Sequence, residues 1–525
     1  MPPEVLEEIF WQCLPERRYP TTSFREAPLL LTHVCRQWRD VAISSPRLWS
    51  SIYISWTDGG AGRDIYNRSS GPTLESQIIH RRCDLVEQWI SRSGFLPLSL
   101  YLNYIHDEDD RTAQTDAEVN IRMVTILISQ IYRWANATMI MPVEIYNKFD
   151  AALSVEEPYM LRTLDIRGYF TRSGAYWQPT KPGMGLLSAP NLQKLSIAGM
   201  AFTMPTCSPC YLTNLNCQVH PFHHEEALGL LSRLPALIHC KMLISVNLTQ
   251  EFNAHSTVSL PYLQSLVILD NGDVSNPIKV RFYSCFDAPS LKWLSDGRLN
   301  HVVSSPDIFN NGPGNLVAYG PDYPPMVLIK RCNLSLKRLS FEHYGLSPSV
   351  IQEIFQKLPY LSHIEIGHDY FYGHDAIYQT NEELDTSMSY ENLDIDTLIV
   401  DASGEEISGA EHQVYLPNLT VFVARGVRKW TDESVLRFAL SRLNPSISGR
   451  GIATLKSIHV SFARDMIQDI ESTILQYAKE KGIDVDLKLQ YHTHPSYFNY
   501  TASTYYGVPD DIISTSPFYM HESSS

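Results

Sequence analysis

From Leu161 to Val460 the chain returns repeatedly to one local pattern: an apolar residue, two variable positions, leucine or a similar residue, one variable position, then another apolar residue. It reads Leu161-x-x-Leu164-x-Ile166, Leu192-x-x-Leu195-x-Ile197, Leu212-x-x-Leu215-x-Cys217, Leu237-x-x-Cys240-x-Met242 and Leu263-x-x-Leu266-x-Ile268. It continues as Leu336-x-x-Leu339-x-Phe341, Leu361-x-x-Ile364-x-Ile366, Ile395-x-x-Leu398-x-Val400, Leu419-x-x-Phe422-x-Ala424 and Leu455-x-x-Ile458-x-Val460. Leu291-x-x-Leu294 is a decayed copy, with Asp296 in the last apolar place. The closing alternation of each copy predicts a strand with two residues on one face. Helix-period segments at Glu225 to Leu234, Ser349 to Leu358 and Asp432 to Leu443 precede several copies. A unit of helix, turn and strand leaves an apolar face that only a neighbouring unit can cover, so the units are expected to stack.

The expected fold class is therefore α/β: an irregular, leucine-rich-repeat-like solenoid with parallel strands on its concave side. Prolines such as Pro190, Pro261, Pro289, Pro359 and Pro417 introduce copies, as suits a residue with no amide donor at a turn entering a strand. The interval between copies runs from 20 residues (Leu192 to Leu212) to 45 (Leu291 to Leu336), which implies loop insertions or unrecognised units. Before the first clear copy, Asp84 to Arg92 and Ala117 to Trp134 have helical periodicity, while Leu98 to Leu102 and Ala137 to Met141 alternate like strands. Residues 51–150 thus either begin the array or form a separate linker region, and the array is expected to run over 51–490. Gln468 to Lys481 reads as a last helix and Val485 to Leu489 as a closing strand. Residues 491–525, rich in Tyr, Ser, Thr and His, read as a disordered tail. The glycine cluster Gly59 to Gly62 and the acidic run Asp107 to Asp110 read as exposed loops.

The first 50 residues are different in kind. Pro2 and Pro3 suit the first turn of a helix, with Glu4, Glu7 and Glu8 near its positive end. Val5, Leu6, Ile9, Phe10, Cys13 and Leu14 form its apolar stripe, and Pro15 ends it. A second helix is expected from about Pro28 through Ala42, carrying Val34, Trp38 and Val41, and Ser45-Pro46 should open a short third one with Leu48 and Trp49. Three short helices bury too little surface to stand alone, so the module needs the rest of the chain or a partner. The ordered run Pro2-Pro3-Glu4-Val5-Leu6-x-x-Ile9-Phe10, Leu14-Pro15, Val34-Cys35-Arg36-x-Trp38-Arg39-x-Val41-Ala42 and Pro46-x-Leu48-Trp49 resembles an F-box, most closely the fungal type. Met1 stands where that family usually has leucine. The resemblance implies docking onto a Skp-type adaptor and, through it, a cullin scaffold. Pro2, Leu6, Ile9, Leu14, Val34 and Trp38 would then be the adaptor-binding or module-defining residues.

Composition narrows the remaining choices. The formal net charge of -15 repels phosphate backbones, so no nucleic-acid partner is expected. No run approaches the roughly 18 apolar residues that cross a bilayer, and no leader-like segment opens the chain, so a chain of cytoplasm or nucleus with no membrane partner is expected. Nine scattered cysteines fit reduced thiols better than a disulfide framework. Cys207-Ser-Pro-Cys210 with Cys217, His220, His223 and His224 has ligand types zinc can use, yet Cys217 falls on a core position of the repeat. His492-x-His494 reads as solvated, so neither metal nor cofactor is expected. No phosphate loop, dinucleotide fingerprint or nucleophile elbow occurs, and no catalytic residues are expected. Tyr370, Phe371 and Tyr372 follow one repeat strand, where aromatic residues could anchor a target.

The function this resemblance implies is that of a substrate-recognition subunit of a Skp-cullin-F-box ubiquitin ligase. The opening helices would bind the adaptor, and the repeats would hold an unknown target protein near a conjugating enzyme for ubiquitin-dependent degradation. The competing expectation is a repeat scaffold that works outside any ligase.

Overall fold

The computed structural model describes residues 1–57, 72–105, 117–141, 146, 149, 157–167, 185–198, 211–245, 257–270, 276–298, 323–341, 346–367, 393–400, 414–427, 429–462 and 464–491. The chain divides into two compact units, one on Met1–His220 and one on Pro221–Gly507.

The first unit opens with helix α1 (Pro3–Gln12), a 3-10 turn (Leu30–His33), helix α2 (Arg36–Ser44) and a second 3-10 turn (Pro46–Trp49). Strands β1 (Ser51–Thr57), β2 (Leu98–Ile105), β3 (Trp134–Ile140), β4 (Thr163–Arg167), β5 (Lys194–Ala198) and β6 (Asn214–His223) then pair in chain order, each parallel to the next. Parallel neighbours require crossovers, and helices α3 (Pro72–Arg92) and α4 (Ala117–Ile128) are two of them. Burial alternates along β4 and β5: Leu164, Ile166, Leu195 and Ile197 are sealed, while the residues between them are half-buried. The repeat pattern thus marks the strands and the face they bury. Residues 51–57, 98–105 and 134–140 form strands of the same sheet as β4 to β6. β1 has no counterpart among the expected elements, although Ile52 and Ile54 alternate with polar positions there.

The second unit repeats the arrangement. Strands β7 (His239–Ser245), β9 (Ser265–Asp270), β11 (Trp293–Arg298), β12 (Arg338–Phe341), β13 (His363–Ile366), β14 (Val421–Val427), β15 (Ser457–Phe462) and β16 (Asp486–Tyr491) lie parallel in chain order. The two-residue strands β8 (Val258–Ser259) and β10 (Phe286–Asp287) pair separately. The described helices are α5 (His224–Leu231), α6 (Asn276–Ser284), α7 (Met326–Cys332), α8 (Pro348–Lys357), α9 (Asp432–Leu443) and α10 (Glu471–Lys481). The helix ends follow local chemistry: Ser347 and Thr431 cap α8 and α9 by accepting from the Val350 and Ser434 amides. Left-handed Gly482 stops α10.

Three expectations change. The copy at Ile395 is not a sheet strand: Ile395–Leu398 is a 3-10 turn, and β13 pairs directly with β14. Asp394 caps that turn by accepting from the Asp396 amide, and Val400 instead packs with Ile447 and Ile452. The second N-terminal helix is broken before Arg36, because Cys35 is extended and its Sγ accepts from the Trp38 amide as a cap. The presumed tail gives up Tyr491 to β16, where its ring stacks on Phe462 at 4.5 Å.

One register line across the strands of the second unit carries Trp293, Arg338 and His363 on adjacent strands, on the face opposite the buried Leu339 and Phe341. Burial, with the neighbouring Arg338 charge next, pushes the His363 pKa down to about 4 from 6.5. Between those values the unfolded chain holds a proton that the folded chain lacks, so this contribution is complete above pH ~6.5 and is lost as pH falls toward ~4. A slope worth on the order of 1–3 kcal/mol across that window should vanish in His363→Phe. Urea unfolding of both chains at pH 7 and pH 5 checks it, and equal pH dependence of the two would refute it.

Candidate partner-docking surface

Helix α1 is apolar on two sides, which an isolated surface helix is not. Its inner side is Leu6 and Phe10, at 3% and 0% exposure, with the Phe10 ring tilted on Trp38 at 5.0 Å. Its outer side is Val5 and Ile9, one turn apart and 47% and 40% exposed. Beside it, the Gln37 amide donates to the Met1 carbonyl at 3.4 Å, which ties the start of the chain to α2. At the end of the first 3-10 turn Val34 is 54% exposed, and Leu30, Phe24 and Met1 are exposed as well.

The module is fixed to the sheet from behind. Leu48 and Trp49 are completely buried; the Trp49 indole N–H donates to the Ala42 carbonyl at 2.7 Å, and its ring meets Trp89 of α3 edge-on at 4.9 Å. The loop before α2 pairs with β1 through the Tyr53 amide, which donates to Pro20 at 2.8 Å. Glu26 takes up Arg18 and the Thr21 amide and hydroxyl; these bonds hold its carboxyl below the ordinary carboxylate range against the opposing effect of burial. Arg47 lies 3.9 Å over the Trp11 ring and pairs with Glu8 at 3.1 Å. Leu48 and Trp49 are thus sealed against the sheet, while Val5, Ile9 and Val34 are among the large aliphatic side chains left in water. Burying the roughly half of each that remains exposed would be worth about 1 kcal/mol.

The sequence-derived residues separate accordingly. Ile9 and Val34 are exposed, as is Pro2; Leu14 and Trp38 are half-buried; Leu6 belongs to the interior and holds the module together. Val5 and Met1 were not singled out as contact residues, and helical spacing from Ile9 is the signal that would have found Val5. Tyr370, Phe371 and Tyr372, the loops 59–62 and 107–110, Cys207, Cys210 and His492 to His494 lie outside the described residues. Cys217 is sealed in the core, and burial pushes the Cys240 thiol up to about 12. Among the described residues no His, Cys, Asp or Glu cluster could hold a metal ion, and no helix is long and apolar enough to cross a membrane. A scan against protein-family models matches no family, and a search of curated proteins returns no relative.

Proposed function

We propose that the chain is the substrate-recognition subunit of a Skp-cullin-F-box ubiquitin ligase, non-catalytic in itself. On this reading helices α1 and α2 form an F-box that binds the adaptor, and the stacked strands behind them form a leucine-rich-repeat-like solenoid that holds a target protein. The observation that supports it best is the two-sided α1, anchored through Leu6 and Phe10 and presenting Val5 and Ile9 outward. The rigid array would supply proximity rather than chemistry, holding the target's lysines near a conjugating enzyme brought by other subunits.

The test is recovery of a purified Skp-type adaptor, with its cullin, by the full chain. Val5→Asp/Ile9→Asp should reduce adaptor recovery at least tenfold, because two charges would enter an apolar contact, while thermal unfolding of the free chain stays unchanged. Leu6→Asp serves as the contrast and should unfold the module. Recovery of adaptor without cullin would favour the scaffold reading, and full recovery by the double variant would end the F-box reading.

A further inference from the structure

On the face opposite the core, strands β11 to β13 hold a line of buried side-chain nitrogens without a hydrogen-bond partner. Trp293 of β11, Arg338 of β12 and His363 of β13 are Cα partners in one register row. The Trp293 Nε1, Arg338 Nε and His363 Nε2 atoms are all buried without a hydrogen-bond partner. An unmet buried polar atom costs about 1–3 kcal/mol, so three on adjacent strands, two of them obligate donors, are an uncommon concentration that calls for an explanation. The remainder of the cluster is well ordered: the Arg338 guanidinium lies 3.9 Å over the Trp293 ring and bonds Glu365 at 3.1 Å, and Arg425 pairs with the other Glu365 oxygen at 2.9 Å. Two guanidinium charges thus converge on one carboxylate. The Arg338 side chain keeps 24% of its surface exposed, and Trp293 and His363 are only half-buried, so all three side chains reach the open face.

We infer that this row is a binding site for an acidic peptide segment of the target. The indole and guanidinium nitrogens can only donate, so the ligand must bring acceptor oxygens. The excess of arginine over glutamate favours oxygens that carry negative charge. Strands stand ~4.8 Å apart, so the three nitrogens span roughly 10 Å. One carboxylate or phosphate is too small to meet them all, whereas about three extended residues at ~3.3 Å each, lying across the strands, match that length. The inference deepens the receptor reading, on which it rests, by naming what the target presents.

The test uses the full chain, immobilised at neutral pH, and a degenerate dodecapeptide library whose retained pool is sequenced. Retained peptides should be enriched about fivefold in Asp and Glu, and the best of them should bind Trp293→Phe and Arg338→Gln at least tenfold more weakly. Trp293→Phe removes the unmet N–H together with part of the ring under Arg338. A retained pool without acidic enrichment, or undiminished binding by Trp293→Phe, would each overturn the inference. Val5→Asp/Ile9→Asp should retain the same peptides. Failed peptide selection with intact adaptor recovery therefore refutes this site alone, and the reverse pattern refutes the F-box reading alone.

Discussion

Lys279→Met should destabilise the second unit by on the order of 3–5 kcal/mol, because it strands two buried carboxylates. Lys279 on α6 is 1% exposed; its Nζ lies 2.5 Å from Asp270 at the end of β9 and 3.2 Å from Asp296 on β11. The Tyr283 hydroxyl donates to Asp296 at 2.6 Å, and burial together with that carboxylate drives the phenol pKa well upward. All four side chains are sealed from water. Removing the cation costs far more than removing the whole set, since a buried pair roughly offsets its own desolvation while a lone buried charge does not. Lys279→Met/Asp270→Asn/Asp296→Asn should therefore recover most of the loss. The check is amide exchange across β9, β11 and α6 together with the urea midpoint; a single variant as stable as the parent, or a triple variant no better than the single one, would show that the ions are not coupled in this way.

Asp296 also shows where the sequence stops being legible. The pattern marks it as a failed copy, an acid in an apolar place, and β11 nevertheless forms in register with β9 and β12. What rescues it is a lysine 17 positions earlier on another element, which periodicity cannot see. The Ile395 copy fails in the opposite way: every apolar residue is present, yet the Asp394 cap and the packing of Val400 with Ile447 and Ile452 draw it into a 3-10 turn. Local pattern thus identifies segments that bury apolar residues, whereas caps and distant charges decide whether each becomes a strand of the sheet. At the N-terminus, helix start, proline stop and anchoring tryptophan are readable from residue type. Which of Leu6 and Val5 faces inward is not, because both are apolar and neighbours in sequence. The burial of Leu6 and the packing of Phe10 on Trp38 fix the roll of α1 and so make Val5 and Ile9 the outward pair. The polar row at Trp293, Arg338 and His363 was invisible for a related reason: its members occupy the variable places of their copies and become neighbours only when the strands align.

Arg442→Met should cost the second unit a comparable amount, about 3–5 kcal/mol, through unmet carbonyls rather than unmatched ions. The side chain is completely buried on α9 and spreads its donors over three backbone carbonyls: Nε to Leu398 at 2.8 Å, Nη1 to Leu416 at 3.1 Å and Nη2 to Tyr415 at 2.7 Å. Burial lowers its pKa to about 10, so the guanidinium remains charged at neutral pH. Those carbonyls end the 3-10 turn that replaces the Ile395 strand and enter the turn before β14, where Leu416 holds a left-handed φ of 51°. A non-glycine residue there carries strain of about 1 kcal/mol or more, and Arg442 is the group that fixes both segments at once. Methionine fills much of the volume but offers no donor, and lysine offers donors from one atom, too compact to reach three divergent oxygens. Arg442→Lys should thus recover less than half of the loss. Leu416→Gly is the complementary change: it relieves the backbone but empties a fully buried site, so it should destabilise by about 2–4 kcal/mol through lost packing. The decisive measurement is the double variant Arg442→Met/Leu416→Gly in urea unfolding, with amide exchange at β14. If the arginine acts by holding the strained turn, the double variant loses clearly less than the sum of the singles; strict additivity would mean that its bonds to the three carbonyls act independently of that strain.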